Sequence, residues 1–148
     1  MDLNHVKKLR EDTGLSVMEC KKAIEAAGGD FKKAMEILKE KERVLADKKT
    51  GAETHEGLVE AYIHSNGKIG VLVELCCQTD FVARNDDFKK LTRDIAMQIA
   101  ACDPGDSDAL MAQPFIKDIS KTVGELLQES IARTGENIKV GRFSRFKI

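Results

Sequence analysis

The sequence predicts an α+β protein: a small bundle of three short helices, then a three-stranded antiparallel sheet covered on one face by two helices. Three observations carry this. Up to about residue 45, apolar residues recur at helical spacing and are punctuated by Gly14 and Gly28–Gly29. From Leu58 to Cys77 the pattern changes to alternation on either side of an Asn66–Gly67 turn. Two further helical stripes and a final apolar-spaced run complete the chain.

The first helix is predicted from about Asn4 to Asp12, with Val6 and Leu9 on one face and an end at Thr13–Gly14. Ser16 followed by Glu19 is a capping box, opening a second helix with Val17, Cys20, Ala23, Ile24 and Ala27 at helical spacing. Asp30 caps a third, whose stripe is Phe31, Ala34, Met35, Ile37 and Leu38. Helices this short bury a face only by closing on each other. Residues 1–45 are therefore expected to form one helical module, 46–56 a polar linker, and 57–148 an α+β core.

In the core, Leu58–His64 and Ile69–Cys77 make a hairpin, with Ile69, Val71, Val73, Leu75 and Cys77 sharing one face and Leu72 on the other. A helix follows from about Asp86 to Ala101, carrying Phe88, Leu91, Ile95 and Ile99. The stretch Cys102–Lys117, with Pro104, Gly105 and Pro114, reads as irregular. Another helix spans about Thr122–Thr134 and stops at Gly135, and a last strand begins at Asn137.

Composition narrows the function. The chain has 24 basic and 25 acidic residues, a net charge of −1, and its Lys pairs have acidic neighbours, so a nucleic-acid track is disfavoured. No apolar run approaches the ~18 residues of a membrane span, and no leader-like segment opens the chain. The four cysteines form no C-x-x-C and the three His lie at no ligand spacing to them, so no metal site is expected and all four thiols read as reduced. Phosphate-cradling, dinucleotide and nucleophile-elbow motifs are missing. Asp86–Asp87 reads as a helix cap and not as a catalytic pair. No active site and no cofactor are expected.

One segment is odd. Gln78–Asn85 joins a buried strand to a helix, where polar or small residues are usual, yet it places Phe81 and Val82 beside Asp80 and Arg84. Phe81 either folds back as a core plug or staple, or projects as an apolar wedge flanked by hydrogen-bonding groups.

Thr79-Asp80-Phe81-Val82-Ala83-Arg84-Asn85 strongly resembles the signature of the elongation factor Ts family. Thr13-Gly14 with Met18-Glu19-Cys20-Lys21-Lys22-Ala23 resembles its N-terminal module, which has a ubiquitin-associated-like three-helix fold. Tyr62-Ile63-His64 and Ile69–Glu74 resemble its first hairpin. Gln113-Pro114-Phe115, Gly135-Glu136-Asn137-Ile138 and Arg142-Phe143 resemble its C-terminal segment. The likeness runs in order along nearly the whole chain.

The resemblance implies an exchange factor that binds elongation factor Tu, GDP-bound or nucleotide-free, and promotes GDP release. Asp80 and Phe81, with Thr79 and Val82, would insert beside the partner's magnesium site. Arg10, Val17, Met18 and Lys21 would touch its GTPase domain, although Val17 and Met18 could equally serve core packing. His64, at the hairpin tip, would touch another part of the partner. The implied location is the bacterial cytoplasm, or an organelle matrix for a processed form. The chain departs from the pattern at Cys102–Gln113, a direct bridge where most members carry a long helical insertion and often a second core. Family members with a single core unit can pair as homodimers, so the resemblance leaves room for a homodimer here. Two readings of other classes stand beside this one: an adapter whose helical module binds ubiquitin or a similar partner, and a small enzyme using Cys76 or Cys77.

Overall fold

The structure is a computed structural model that describes residues 2–148. Its chain divides into two compact units. One is the segment ending at Thr50 together with Gln128–Gly135; the other is Gly51–Leu127 together with Glu136–Ile148.

The first unit holds α1 (Leu3–Thr13), α2 (Val17–Ala26) and α3 (Phe31–Lys49). Each begins at a side-chain cap that satisfies an otherwise orphaned N–H. Asp2 accepts from the Asn4 amide, Asp30 accepts from the Lys33 amide, and Ser16 and Glu19 bond reciprocally as a full capping box. Val6, Leu9, Leu15, Cys20, Ala23, Ile24, Ala34 and Leu38 form the core, with Ala132 packed against it. Helix α3 runs past its expected end near residue 45. Ala46 is buried, and Arg43 bridges Glu40 and Asp47 one turn to either side, so packing and ion pairs extend the helix where the apolar stripe thins.

Gly14 ends α1 at φ 70°, a conformation that favours glycine. Arg133 covers this turn, donating from Nε to the Thr13 carbonyl (3.1 Å) and from its Nη2 to the Asp12 carbonyl (2.9 Å). A Cβ on Gly14 would stand 2.6 Å from the Arg133 side chain.

The second unit is built on an antiparallel sheet of β1 (Glu56–Ile63), β2 (Ile69–Cys77) and β5 (Lys139–Lys147), in the order β1-β2-β5. This is the expected α+β class. Alternation decides the faces: Val71, Val73, Leu75 and Cys77 are buried, and helix α5 (Asp86–Cys102) packs across β1 and β2 through Phe88, Leu91, Ile95 and Ile99. The opposite face stays open. Ile63, Gly70 and Phe146 line up across the strands, and Ala61, Leu72 and Ser144 form the next row. Val59, Ile63, Leu72 and Phe146 are all more than half exposed.

The stretch expected to be irregular is ordered instead. It contains α6 (Ser107–Ala112) and the first strand of a hairpin, β3 (Pro114–Phe115) with β4 (Asp118–Thr122). Gln98 of α5, fully buried, organises the hairpin. Its Nε2 donates to the Pro114 carbonyl and to Gln113 Oε1, and its Oε1 accepts from the Ile116 amide. Asp94 and Lys117 pair at 2.5 Å beside it. Helix α7 (Val123–Thr134) then leads through Gly135 to β5. Among the described residues, no helix is long and apolar enough to cross a membrane.

Candidate partner-binding site

Strand β2 ends at Cys77, and within three residues the chain turns into α4 (Asp80–Ala83). Thr79 is the N-cap, with extended φ and ψ, and its hydroxyl accepts from the Val82 amide at 3.4 Å. The segment read as a loop is thus a single capped helical turn. Its faces are sharply divided. Ala83 is 2% exposed and seats the turn on the unit; Val82 is half-buried; Phe81 is 90% exposed. Of the two readings of Phe81, the core plug does not hold. Asp80 and Arg84 pair at 2.6 Å, one turn apart beside the projecting ring.

The turn is gripped from behind. Oε1 of Glu136 accepts from the amides of Gln78 (3.1 Å) and Thr79 (2.9 Å), and its Oε2 accepts from the Thr79 hydroxyl (2.6 Å). Gln78 returns the contact, its Oε1 accepting from the Asn137 amide at 2.6 Å, and the Asn137 side chain donates to the Ala52 carbonyl. In the sequence, Gly135 and Asn137 mark the end of a helix and the start of a strand, and Glu136 between them stands out only through the resemblance. Nothing in local pattern ties Glu136 to Thr79, which is 57 residues away.

In the helical unit, Val17 and Met18 open α2 and are 40% and 63% exposed, so they do not serve the core. Lys21 follows one turn later and is half-buried, sharing a face with them. Arg10 is exposed in the last turn of α1. His64 is exposed at the hairpin tip, its Nδ1 3.2 Å from the Tyr62 hydroxyl oxygen.

Cys76 and Cys77, the thiols of the enzyme reading, are shifted away from the thiolate form. Burial pushes the Cys77 thiol up to about 11 and raises Cys76 and Cys20 as well. Cys77 lies against the site, donating to the Thr79 carbonyl, but as a protonated packing group. Among the described residues, no group of three or more His, Cys, Asp or Glu side chains is placed to hold a metal ion.

Residues 78–148, from Gln78 through the projecting turn and its Glu136 grip to the end of β5, match the family described as Elongation factor TS. Elongation factor Ts of Rubrobacter xylanophilus is 38% identical to the chain, over 99% of the chain and 98% of its own length. That of Thermotoga petrophila is 41% identical, over all of the chain and 95% of its own length. The chain belongs to the elongation factor Ts family. The Thermotoga alignment runs over 191 positions against 148 residues here, so roughly forty positions of that relative have no counterpart. Against elongation factor Ts of Gloeothece citriformis, 44% identical, the chain spans 65% of the relative's length.

Proposed function

We propose that this elongation factor Ts family member is a guanine-nucleotide exchange factor that binds elongation factor Tu carrying GDP. It speeds GDP release by disturbing the partner's magnesium site and has no active site of its own. One observation carries the reading: Phe81 stands 90% exposed on a capped, clamped turn. An aromatic ring held out on an anchored turn between hydrogen-bonding groups has the form of an anchor for a partner's pocket. In this reading the ring wedges between elements of the GTPase that orient the metal's waters, and Asp80 fixes it there by hydrogen bonds. With the metal's charge displaced, the diphosphate is held less tightly.

Energetics assign a role to the rest of the chain. A ten-thousandfold faster release needs about 5.5 kcal/mol of barrier lowering. Burying one Phe supplies roughly 1.5–3 kcal/mol. The wedge therefore works with further contacts, for which exposed Val17 and Met18, with Arg10 and Lys21, are the first candidates and His64 a weaker one. Linkage makes the effect mutual: by the factor that this protein weakens GDP binding, GDP weakens binding of this protein. The cytoplasm of a bacterium, or an organelle matrix, is the compartment where this partner is met. The open, apolar sheet face supports pairing of two copies through it.

The test is the rate at which elongation factor Tu loses a fluorescent GDP, alone, with this protein, and with its Phe81→Ala variant. Strong acceleration that the variant loses is the expected result. An unaccelerated rate with the intact protein would sink the reading and favour the adapter.

A further inference from the structure

Phe81 has direction only if the turn beneath it is fixed, and α4 is too short to fix itself. Four residues form at most one turn, and isolated turns of this length are unstable in water. Its own N-cap bond, from the Val82 amide to the Thr79 hydroxyl, is long at 3.4 Å. Three shorter bonds come from outside the turn, and all three end on one carboxylate, that of Glu136. Two of the donors are consecutive backbone amides and the third is the cap hydroxyl itself. Together they hold the plane of the Gln78–Thr79 peptide and the rotamer of the cap.

We propose that Glu136 is the positioning residue of the projecting turn: by gripping Gln78 and Thr79 it sets the direction in which Phe81 points. It acts through Thr79, whose amide and hydroxyl its carboxylate already holds. Gln78 and Asn137 lock the same two segments in the reverse sense, amide to side-chain oxygen at 2.6 Å, so the segment after α7 and the segment after β2 move as one piece. Charge matters here as well as reach, because bonds to an ionised acceptor are roughly twice as strong as neutral ones. The inference rests on the wedge reading of Phe81 and adds to it the group that aims the wedge.

The experiment measures release of fluorescent GDP from elongation factor Tu over a range of exchange-factor concentrations, which separates affinity from the maximal rate. Wild type is compared with Glu136→Ala, Glu136→Asp, Phe81→Ala and the double variant Phe81→Ala/Glu136→Ala, each also melted thermally. Glu136→Asp keeps the charge and the fold while drawing the carboxylate back, so it remains informative should Glu136→Ala fail to fold. The expected result is a maximal rate lowered on the order of tenfold by either Glu136 variant, with no further loss when Glu136→Ala is added to Phe81→Ala. Wild-type rates from the Glu136 variants beside a slow Phe81→Ala would overturn the inference and leave the wedge standing. An equal loss from Glu136→Ala with and without Phe81 would overturn it too, by making Glu136 a support of the whole unit. A wild-type rate from Phe81→Ala would remove the wedge reading itself.

Discussion

Phe81 contributes almost nothing to packing in the free protein, since nine-tenths of it is in water. Phe81→Ala should therefore leave the thermal midpoint where it is, within the roughly 0.5 kcal/mol typical of surface changes, while exchange is lost. A melting curve beside the release assay checks both halves. Cys77 is the opposite kind of residue. Its thiol is pushed from 9.0 up to about 11 by burial, with Glu136 and Glu56 adding to the effect. Between those values the unfolded chain has released the proton and the folded chain keeps it, so this group makes stability fall as pH rises from 9 towards 11. Cys77→Ser should flatten that part of the stability–pH profile, read by urea titration. Thiol labelling of the native protein should reach exposed Cys102 well before buried Cys77. The oddness of Phe81 was legible from its neighbours in the chain, but its direction was not. Which of Phe81, Val82 and Ala83 faces inward depends on a grip supplied from 57 residues away.

Elements whose hydrogen bonds are their own were legible, and those that borrow them were not. Helix α2 announces itself through Ser16 and Glu19, and the structure shows the reciprocal bonds. Ser16→Ala should cost the helical unit about 1 kcal/mol, measured by chemical denaturation. The Glu19 carboxyl is held below its usual range by the Lys41 ammonium and, after some opposing burial, by the Ser16 amide. A lowered carboxylate stabilises the fold above its unfolded value of 4.5 and loses that contribution as pH falls below it. Lys41→Met should therefore weaken the acid limb of the stability profile. The β3–β4 hairpin and α4 gave no such signal. The hairpin leans on Gln98, a polar residue on the buried face of α5 where the helical stripe called for an apolar one. Gln98→Leu keeps the volume and orphans the Ile116 amide, at a cost of about 1–3 kcal/mol. Amide exchange at Ile116 should quicken by far more than exchange within α5. The end of α3 escaped for a related reason: its last turns rest on Arg43 ion pairs and buried Ala46, which no apolar count records.

For the molecule as a whole, the question is what covers the open side of the sheet. Val59, Ile63, Leu72 and Phe146 form a continuous apolar surface on a three-stranded sheet whose other side is already packed. Two-layer architecture is the usual way to shelter such a face. If two copies supply the two layers, sedimentation should show a dimer at micromolar concentration, and Leu72→Lys, in the middle of the central strand, should give a folded monomer. A wild-type monomer at high micromolar concentration counts against pairing. That surface was foreshadowed by Leu72 pointing away from the other apolar residues of its strand. Its extent came only with the register, which sets Phe146 across Gly70 from Ile63.

The turn at Gly14 is held by an arginine that lies 120 positions after the Thr13 it bonds. A ribosome makes the glycine first. At roughly 5–20 residues per second, Arg133 follows on the order of ten seconds afterwards. Over that interval the three nascent helices have Leu15 and Ile24 to bury but lack both Ala132 and the two bonds that close the Asp12–Thr13 carbonyls. The helical unit is thus finished only once Arg133 has been made, and its completion waits on the segment that also delivers Glu136 to the projecting turn.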